Sequence, residues 1–172
     1  LLPVEDDGRL HDPGLRENFI ERIFALKRYR EARRSVSGLI EFHSEHKLQI
    51  MAHTQENLRE IGQLVARARE VPEGELFPAY EEHLLNALAQ KSTPPQNVNV
   101  LQHILGYFKE DLAGWEKAEL LETIEGYRQG LIPLIVPVTI VQHYVRKYDK
   151  EYLFKQTYLQ PHPLELKLRN HA

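Results

Sequence analysis

The sequence predicts an all-α fold, a single bundle of seven to nine helices around a buried apolar helix at about 133–147. Three observations predict it. Apolar residues recur at three- and four-residue intervals through most of the chain. No alternating period-two segment of convincing length appears, and no repeat period is visible. The run Leu131-Ile132-Pro133-Leu134-Ile135-Val136-Pro137-Val138-Thr139-Ile140-Val141 is aliphatic almost throughout and passes into Gln142-His143-Tyr144-Val145-Arg146-Lys147. A run with no wet face reads as a segment buried on all sides, with Leu134, Val138 and Val141 expected among the most buried residues. It is too short for a bilayer, which needs roughly 20 apolar residues. Pro133 suits the first helical turn, while Pro137 falls near the end of that turn or marks a kink.

The chain of 172 residues supports one well-cored domain with an arm. A net charge of −3 does not announce a nucleic-acid binder, so charge has to be read locally. With no cysteine, the chain itself can make no disulfide, thiolate zinc site or cysteine-ligated cluster. Leu1 to Asp12 is acidic and lacks the apolar stretch of a signal peptide, so a cytoplasmic location is expected. The chain opens on Leu1-Leu2-Pro3-Val4 without an initiator methionine, which reads as a piece of a longer polypeptide or as a start not included.

Residues 1–12 read as a linker or the tail of a preceding domain, and 13–172 as the helical domain. Asp12-Pro13 opens helix one, carried by Leu15, Phe19, Ile23 and Leu26. Ser37 is expected to cap helix two, to about His53, and Thr54 helix three, through Leu58, Ile61, Val65 and Ala68. Pro72-Glu73-Gly74 separates helix four, Leu76 to Ala89. Ser92-Thr93-Pro94-Pro95 is the clearest loop. Val98, Leu101, Leu105, Phe108 and Leu112 outline helix five, and Trp115, Ala118, Leu121, Ile124 and Tyr127 outline helix six, ended by Gly130. After the apolar helix, Asp149 is expected to cap a short helix through Tyr158, and Pro161-His162-Pro163 a last one, Leu164 to Arg169.

Two groups of residues exceed what packing requires. His43, His46 and His53 fall at i, i+3 and i+10 on helix two, and Asn97, Asn99, Gln102, His103, Gln142 and His143 bring further polar groups to otherwise apolar helices. They predict a polar seam in which His143 meets His46 and His103. That seam is either a hydrogen-bonded structural feature or a small-molecule or metal-assisted active site. The histidine spacing matches neither the zincin nor the di-iron pattern, and no metal is assigned. The second group is basic. Lys27 to Arg34 carries a local +4, a solvated helix end or a phosphate-facing one, and Val141 to Ala172 carries a net +3 interleaved with Tyr144, Tyr148, Tyr152 and Tyr158. Arg30, Arg33, Arg34, Lys47, Arg146, Lys147, Lys155, Lys167 and Arg169 are the candidate nucleic-acid contacts, because arginine and lysine neutralise phosphates.

Phe42-His43-Ser44-Glu45-His46-Lys47 with Met51-Ala52-His53, the segment Asn97 to Lys109, Tyr127-Arg128-Gln129-Gly130-Leu131-Ile132-Pro133-Leu134, and Tyr158 to Leu166 with Leu168-Arg169-Asn170-His171 together resemble the YbgA-like domain of bacteria. Pro3 to Leu10 and Leu15 to Phe19 resemble the end of the TudS-like desulfidase domain that often precedes it. In such two-domain proteins, of the RudS type, the first domain is understood to remove sulfur from 4-thiouridine in tRNA with a cysteine-bound iron–sulfur cluster. The second binds the tRNA. The resemblance therefore implies a non-catalytic tRNA-binding domain with a TudS-like domain as partner. Any cluster would belong to that preceding domain, with no cofactor in this chain and no membrane partner.

Overall fold

The computed structural model describes residues 2–161 and 163. Among them a 3-10 turn, Gly8–His11, is followed by eight α-helices and no strand: α1 (Pro13–Ala32), α2 (Val36–His53), α3 (Gln55–Ala66), α4 (Glu73–Ala89), α5 (Pro94–Gly106), α6 (Gly114–Arg128), α7 (Ile135–Lys147) and α8 (Glu151–Phe154). The all-α expectation and the helix count hold. None of these helices is long and apolar enough to cross a membrane. The expected helix Leu164 to Arg169, with Lys167 and Arg169, lies outside the described residues.

Local chemistry places the boundaries. Asp12 caps α1, its carboxylate accepting from the Leu15 amide at 2.8 Å. Ser35, not Ser37, caps α2 by accepting from the Gly38 amide at 3.0 Å. Gly38 closes that corner, since a Cβ there would lie 2.4 Å from the Ala32 carbonyl oxygen. α4 begins at Glu73 instead of Leu76, and Glu73 and Glu75 in its first turn complement the helix dipole. α5 ends at Gly106, short of the expected Leu112. Beyond it, tight turns, with Phe108 N–H to Leu105 O at 3.1 Å and Leu112 N–H to Phe108 O at 3.2 Å, preserve the apolar spacing of three and four without an α-helix. Gly130 ends α6 as expected, with φ +71° and the Leu131 amide donating to the Gly126 carbonyl.

The apolar helix departs from expectation in two ways. It starts at Ile135, and Pro137 sits in its first turn, where no amide donor is needed. It is also one-sided. Pro137, Val138, Val141, Tyr144 and Val145 are buried, whereas Thr139, His143, Arg146 and Lys147 face solvent, Leu134 is only half-buried and Leu131 is 73% exposed. The reason is its position: α7 packs chiefly against α6 and α8 at one side of the bundle. Asp149 caps no helix start. It adopts φ 49° just past α7, where the Lys150 amide donates to the Val145 carbonyl, and the helix that follows, Glu151–Phe154, ends short of the expected Tyr158.

The centre belongs to α2, which packs against α1, α3, α4 and α5. Two apolar clusters meet along it. Leu39, Phe42 and Ile50 enter one with Tyr29, Ile61, Tyr80 and Leu84. Leu48 and Ala52 enter the other with Val100, Leu101, Phe108, Val138 and Val141. α1 and α6 also turn unexpected faces inward. α1 buries Leu26 as expected, but it also buries Gly14, Asn18, Glu21, Ala25 and Tyr29 and leaves Ile23 38% exposed, because Asn18 and Glu21 join a buried polar network. α6 buries Glu116, Leu120 and Ile124 and leaves Trp115 67% and Leu121 42% exposed, because Glu116 is held inside by Lys147 and Tyr148.

Candidate functional site

The expected polar seam is divided among separate places. The histidines of α2 each find local partners. The His43 ring contacts the Tyr80 hydroxyl at 3.2 Å, and burial pushes its pKa down to about 4. His46 is buried; its Nδ1 faces the Phe42 carbonyl at 2.8 Å, so Nδ1 carries the proton. Nε2 then accepts from Arg28 Nε at 3.0 Å and lies 3.3 Å from the Thr157 hydroxyl. Burial first, then the Arg28 charge, lowers its pKa to about 3, so at neutral pH it is an uncharged acceptor. Gln102, His103 and His143 are exposed, with His103 against Tyr107 and His143 against Tyr144. Asn99 is half-buried, and Gln142 donates to the Leu159 carbonyl. The helix faces explain the division: His103 and His143 lie on the outer sides of α5 and α7, away from the buried stripes that hold those helices to the bundle.

His53 and Asn97 enter a different arrangement, which the spacing did not reveal. Beside them a cavity of about 240 Å³ lies between α1 and the start of α5, with Glu21, Asn97 and Tyr127 in its wall. His53 Nδ1 is 2.5 Å from the Gln90 carbonyl, which can only accept, and Nε2 is 3.1 Å from a Glu21 oxygen. One proton must therefore lie between Nε2 and that oxygen, as imidazolium and carboxylate or as imidazole and carboxylic acid. Gln49 donates to the other Glu21 oxygen at 2.8 Å. Asn97 accepts from the Tyr158 hydroxyl at 3.0 Å. Among the described residues, no three His, Asp or Glu side chains are grouped to hold a metal ion.

The basic residues divide as well. Arg30 and Arg33 flank the buried Glu81 carboxylate at 3.7 and 3.1 Å, and Arg34 and Lys47 are exposed. Arg146 faces solvent, but Lys147 is a structural brace: its ammonium lies 2.5 Å from Glu116, which also accepts from the Tyr148 hydroxyl at 2.5 Å and the Ala113 amide at 2.8 Å. The Lys147 and Tyr148 hydrogen bonds hold the Glu116 carboxyl down at about 2. The tyrosine-rich surface contracts accordingly. Tyr144 and Tyr158 are buried, Tyr148 is committed to Glu116, and Tyr152 is half-buried against the core. Rings with one polar tip pack on the core wherever a partner is available for that tip.

Tyr152 leads to the most site-like surface. It stacks on Tyr107, with centroids 5.3 Å apart and planes at 20°, and His103 meets Tyr107 edge-on. The Tyr152 ring also lines a groove of about 340 Å³ between α2 and the α8 region, shared by Ser37, Glu41, Ser44, Glu45, Arg69 and Lys155. The groove has a fixed wall. Gln156, fully buried, accepts from the Leu48 amide at 3.3 Å and donates to the Ser44 carbonyl at 2.8 Å, and the Thr157 amide donates to Glu45 O at 2.9 Å.

A family model described as a protein of unknown function (DUF1722) matches residues 47–163. The chain belongs to the DUF1722 family. It is 31% identical over 153 residues, 87% of this chain and 90% of the relative, to the uncharacterized protein YbgA of Escherichia coli strain K12, which makes it a YbgA-like domain. No solved structure matches. In this DUF1722 chain the groove escaped sequence reasoning because its residues come from three distant segments. Arg69 lies in the turn after α3, and Glu41 and Glu45 show only as outward positions of α2. The one available signal was that Glu41 and Glu45, four apart, share a helix face with Ser37 and Ser44.

Proposed function

We propose that this chain is a non-catalytic RNA-docking domain, with tRNA as its ligand and a TudS-like desulfidase domain as its partner. One observation carries the reading: the Tyr107–Tyr152 stack runs into a groove bordered by Arg69 and Lys155 and by two serine hydroxyls. Proteins that hold unpaired RNA combine aromatic rings for base stacking with cations and hydroxyls along the backbone. The resemblance of Pro3 to Leu10 to the end of a TudS-like domain supports the choice of tRNA and partner. The footprint then centres on Arg69 and Lys155, with Arg34 and Arg146 as outlying exposed cations, and Lys147 is released from it because its ammonium serves Glu116. A tRNA gel shift with this chain and with the full-length protein, across a salt series, tests the reading. Affinity should fall steeply with salt, and Arg69→Ala with Lys155→Ala should weaken binding and flatten the slope by about one counterion per charge removed. Unchanged tRNA affinity in the folded double variant at low salt would overturn it.

A second reading, a small-molecule site, is favoured by the Glu21–His53 pair beside the 240 Å³ cavity. Titration with a small polar fragment library, followed by the His53 ring nitrogen shifts, tests it. Shifts that stay fixed throughout assign the pair to structure alone.

A further inference from the structure

The groove between α2 and α8 contains a feature that phosphate binding does not explain. Two carboxylates, Glu41 and Glu45, stand on the same face of α2 inside a groove otherwise bordered by Arg69 and Lys155. Carboxylates repel phosphates, so a surface used only to grip a backbone would be weakened by them. Among the described residues neither Glu41, Glu45 nor Arg69 makes a salt bridge, so the four charges do not simply cancel in pairs. Lys155 meets Glu151 at 3.4 Å, an exposed pairing that competes weakly with an incoming ligand. Glu41 lies at the exposed mouth and Glu45 is half-buried. Burial, then the neighbouring Glu41 charge, raises the Glu45 pKa, while Lys155 and Arg28 oppose the rise. Beside them stands the ring of Tyr152, backed by Tyr107.

An ionised carboxylate only accepts hydrogen bonds. A planar ligand on Tyr152 that satisfied it would have to present donors along one edge. Guanine does so, with N1–H and the exocyclic amino group side by side. Uracil places its single N–H between two carbonyl acceptors that a carboxylate repels. Cytosine and adenine offer only an amino group next to a ring acceptor. The groove volume, about 340 Å³, falls in the range of sites for single small ligands.

Resting on the RNA-docking reading, we infer that the α2–α8 groove is a pocket for one unpaired guanosine of the bound RNA, its base stacked on Tyr152, its donor edge on Glu45 and Glu41, and its phosphates on Arg69 and Lys155. The rings give affinity for any base, the cations hold the backbone, and the carboxylates select.

Fluorescence anisotropy with the whole chain and labelled RNA hexamers tests this. The probes are a uridine hexamer, the same hexamer with one central guanosine, and one with inosine there, which keeps N1–H and lacks the amino group; unlabelled 5′-GMP serves as competitor. The guanosine hexamer should bind about tenfold tighter than the uridine hexamer, the discrimination expected of one bidentate edge contact, with inosine between them. Glu45→Gln, or Glu41→Gln with Glu45→Gln, should collapse that ratio while affinity for the uridine hexamer is kept or raised, a change that loss of fold would not produce. Equal binding of all three hexamers by the wild-type chain, with tRNA binding still dependent on Arg69 and Lys155, would overturn the pocket and leave the docking reading standing. Absence of binding to tRNA and to every hexamer would overturn both. Competition by 5′-GMP as strong as by the guanosine hexamer would overturn RNA as the source of the guanine.

Discussion

His46 is neutral inside the protein because everything around it requires an acceptor at Nε2. The Phe42 carbonyl accepts from Nδ1–H, Arg28 donates to the other nitrogen, and a second proton there would face the guanidinium with little water to screen it. His43, beside Tyr80 and Lys47, is lowered for the same first cause, burial. The sign of the linkage follows. Both rings take up protons near their ordinary value of 6.5 in the unfolded chain but only at about 4 and about 3 in the folded one. Stability is therefore fully present above pH 6.5 and falls as pH drops toward 4, by up to about 1.4 kcal/mol per pH unit for each ring. Urea unfolding at a series of pH values should show this slope, and His46→Gln should remove one ring's share of it, whatever it does to the stability at pH 7. Nitrogen shifts of His46 should report the Nδ1–H tautomer unchanged from pH 8 to pH 5; a ring that titrates near 6.5 would refute the account.

At the scale of the element, the sequence was most legible where a helix end has its own chemistry and least where the only signal was apolar spacing. Asp12 and Gly130 were placed correctly because a capping carboxylate and a left-handed residue satisfy orphan backbone groups locally. Leu112 reads as part of helix five because the turns after Gly106 keep the three- and four-residue apolar spacing of a helix. The solvent face of α7 is masked in its first half because Ile135, Val136 and Ile140, half-buried, surround the exposed Thr139 with aliphatic neighbours, and only from His143 onward do polar residues mark it. The candidate site was legible only in parts: His46, His53 and Asn97 were rightly read as needing hydrogen-bond partners, but those partners, Arg28, Glu21 and Tyr158, are distant in sequence. The two left-handed ends yield a prediction. A Cβ on Gly130 would meet nothing within 4 Å, so Gly130→Ala isolates backbone strain and should cost about 1–2 kcal/mol in urea unfolding. At Asp149 that strain is already present, and Asp149→Gly should leave stability unchanged or raise it by up to about 1 kcal/mol.

Across the whole molecule, the division into two apolar clusters makes α2 the joint on which cooperativity depends. Ile50 and Leu48 are two residues apart and both fully buried, yet Ile50 belongs to the cluster of α1, α3 and α4, and Leu48 to that of α5, α6 and α7. Each truncation to alanine should cost about 2–5 kcal/mol, the usual range for a buried aliphatic side chain. The distinguishing quantity is where the loss is felt. If α2 transmits it, Leu48→Ala accelerates amide hydrogen exchange in α4 as well as in α7, because opening one cluster releases the helix that completes the other. Val138→Ala removes a fully buried side chain from the same cluster as Leu48 but sits on α7, away from the joint. Its effect should be concentrated in α6, α7 and α8 under conditions where local opening dominates exchange. Should Leu48→Ala leave α4 as protected as in the parent chain, the two clusters open independently. The groove between α2 and α8 would then be built across a flexible seam instead of a rigid one, and its discrimination between bases should weaken with temperature before the protein unfolds.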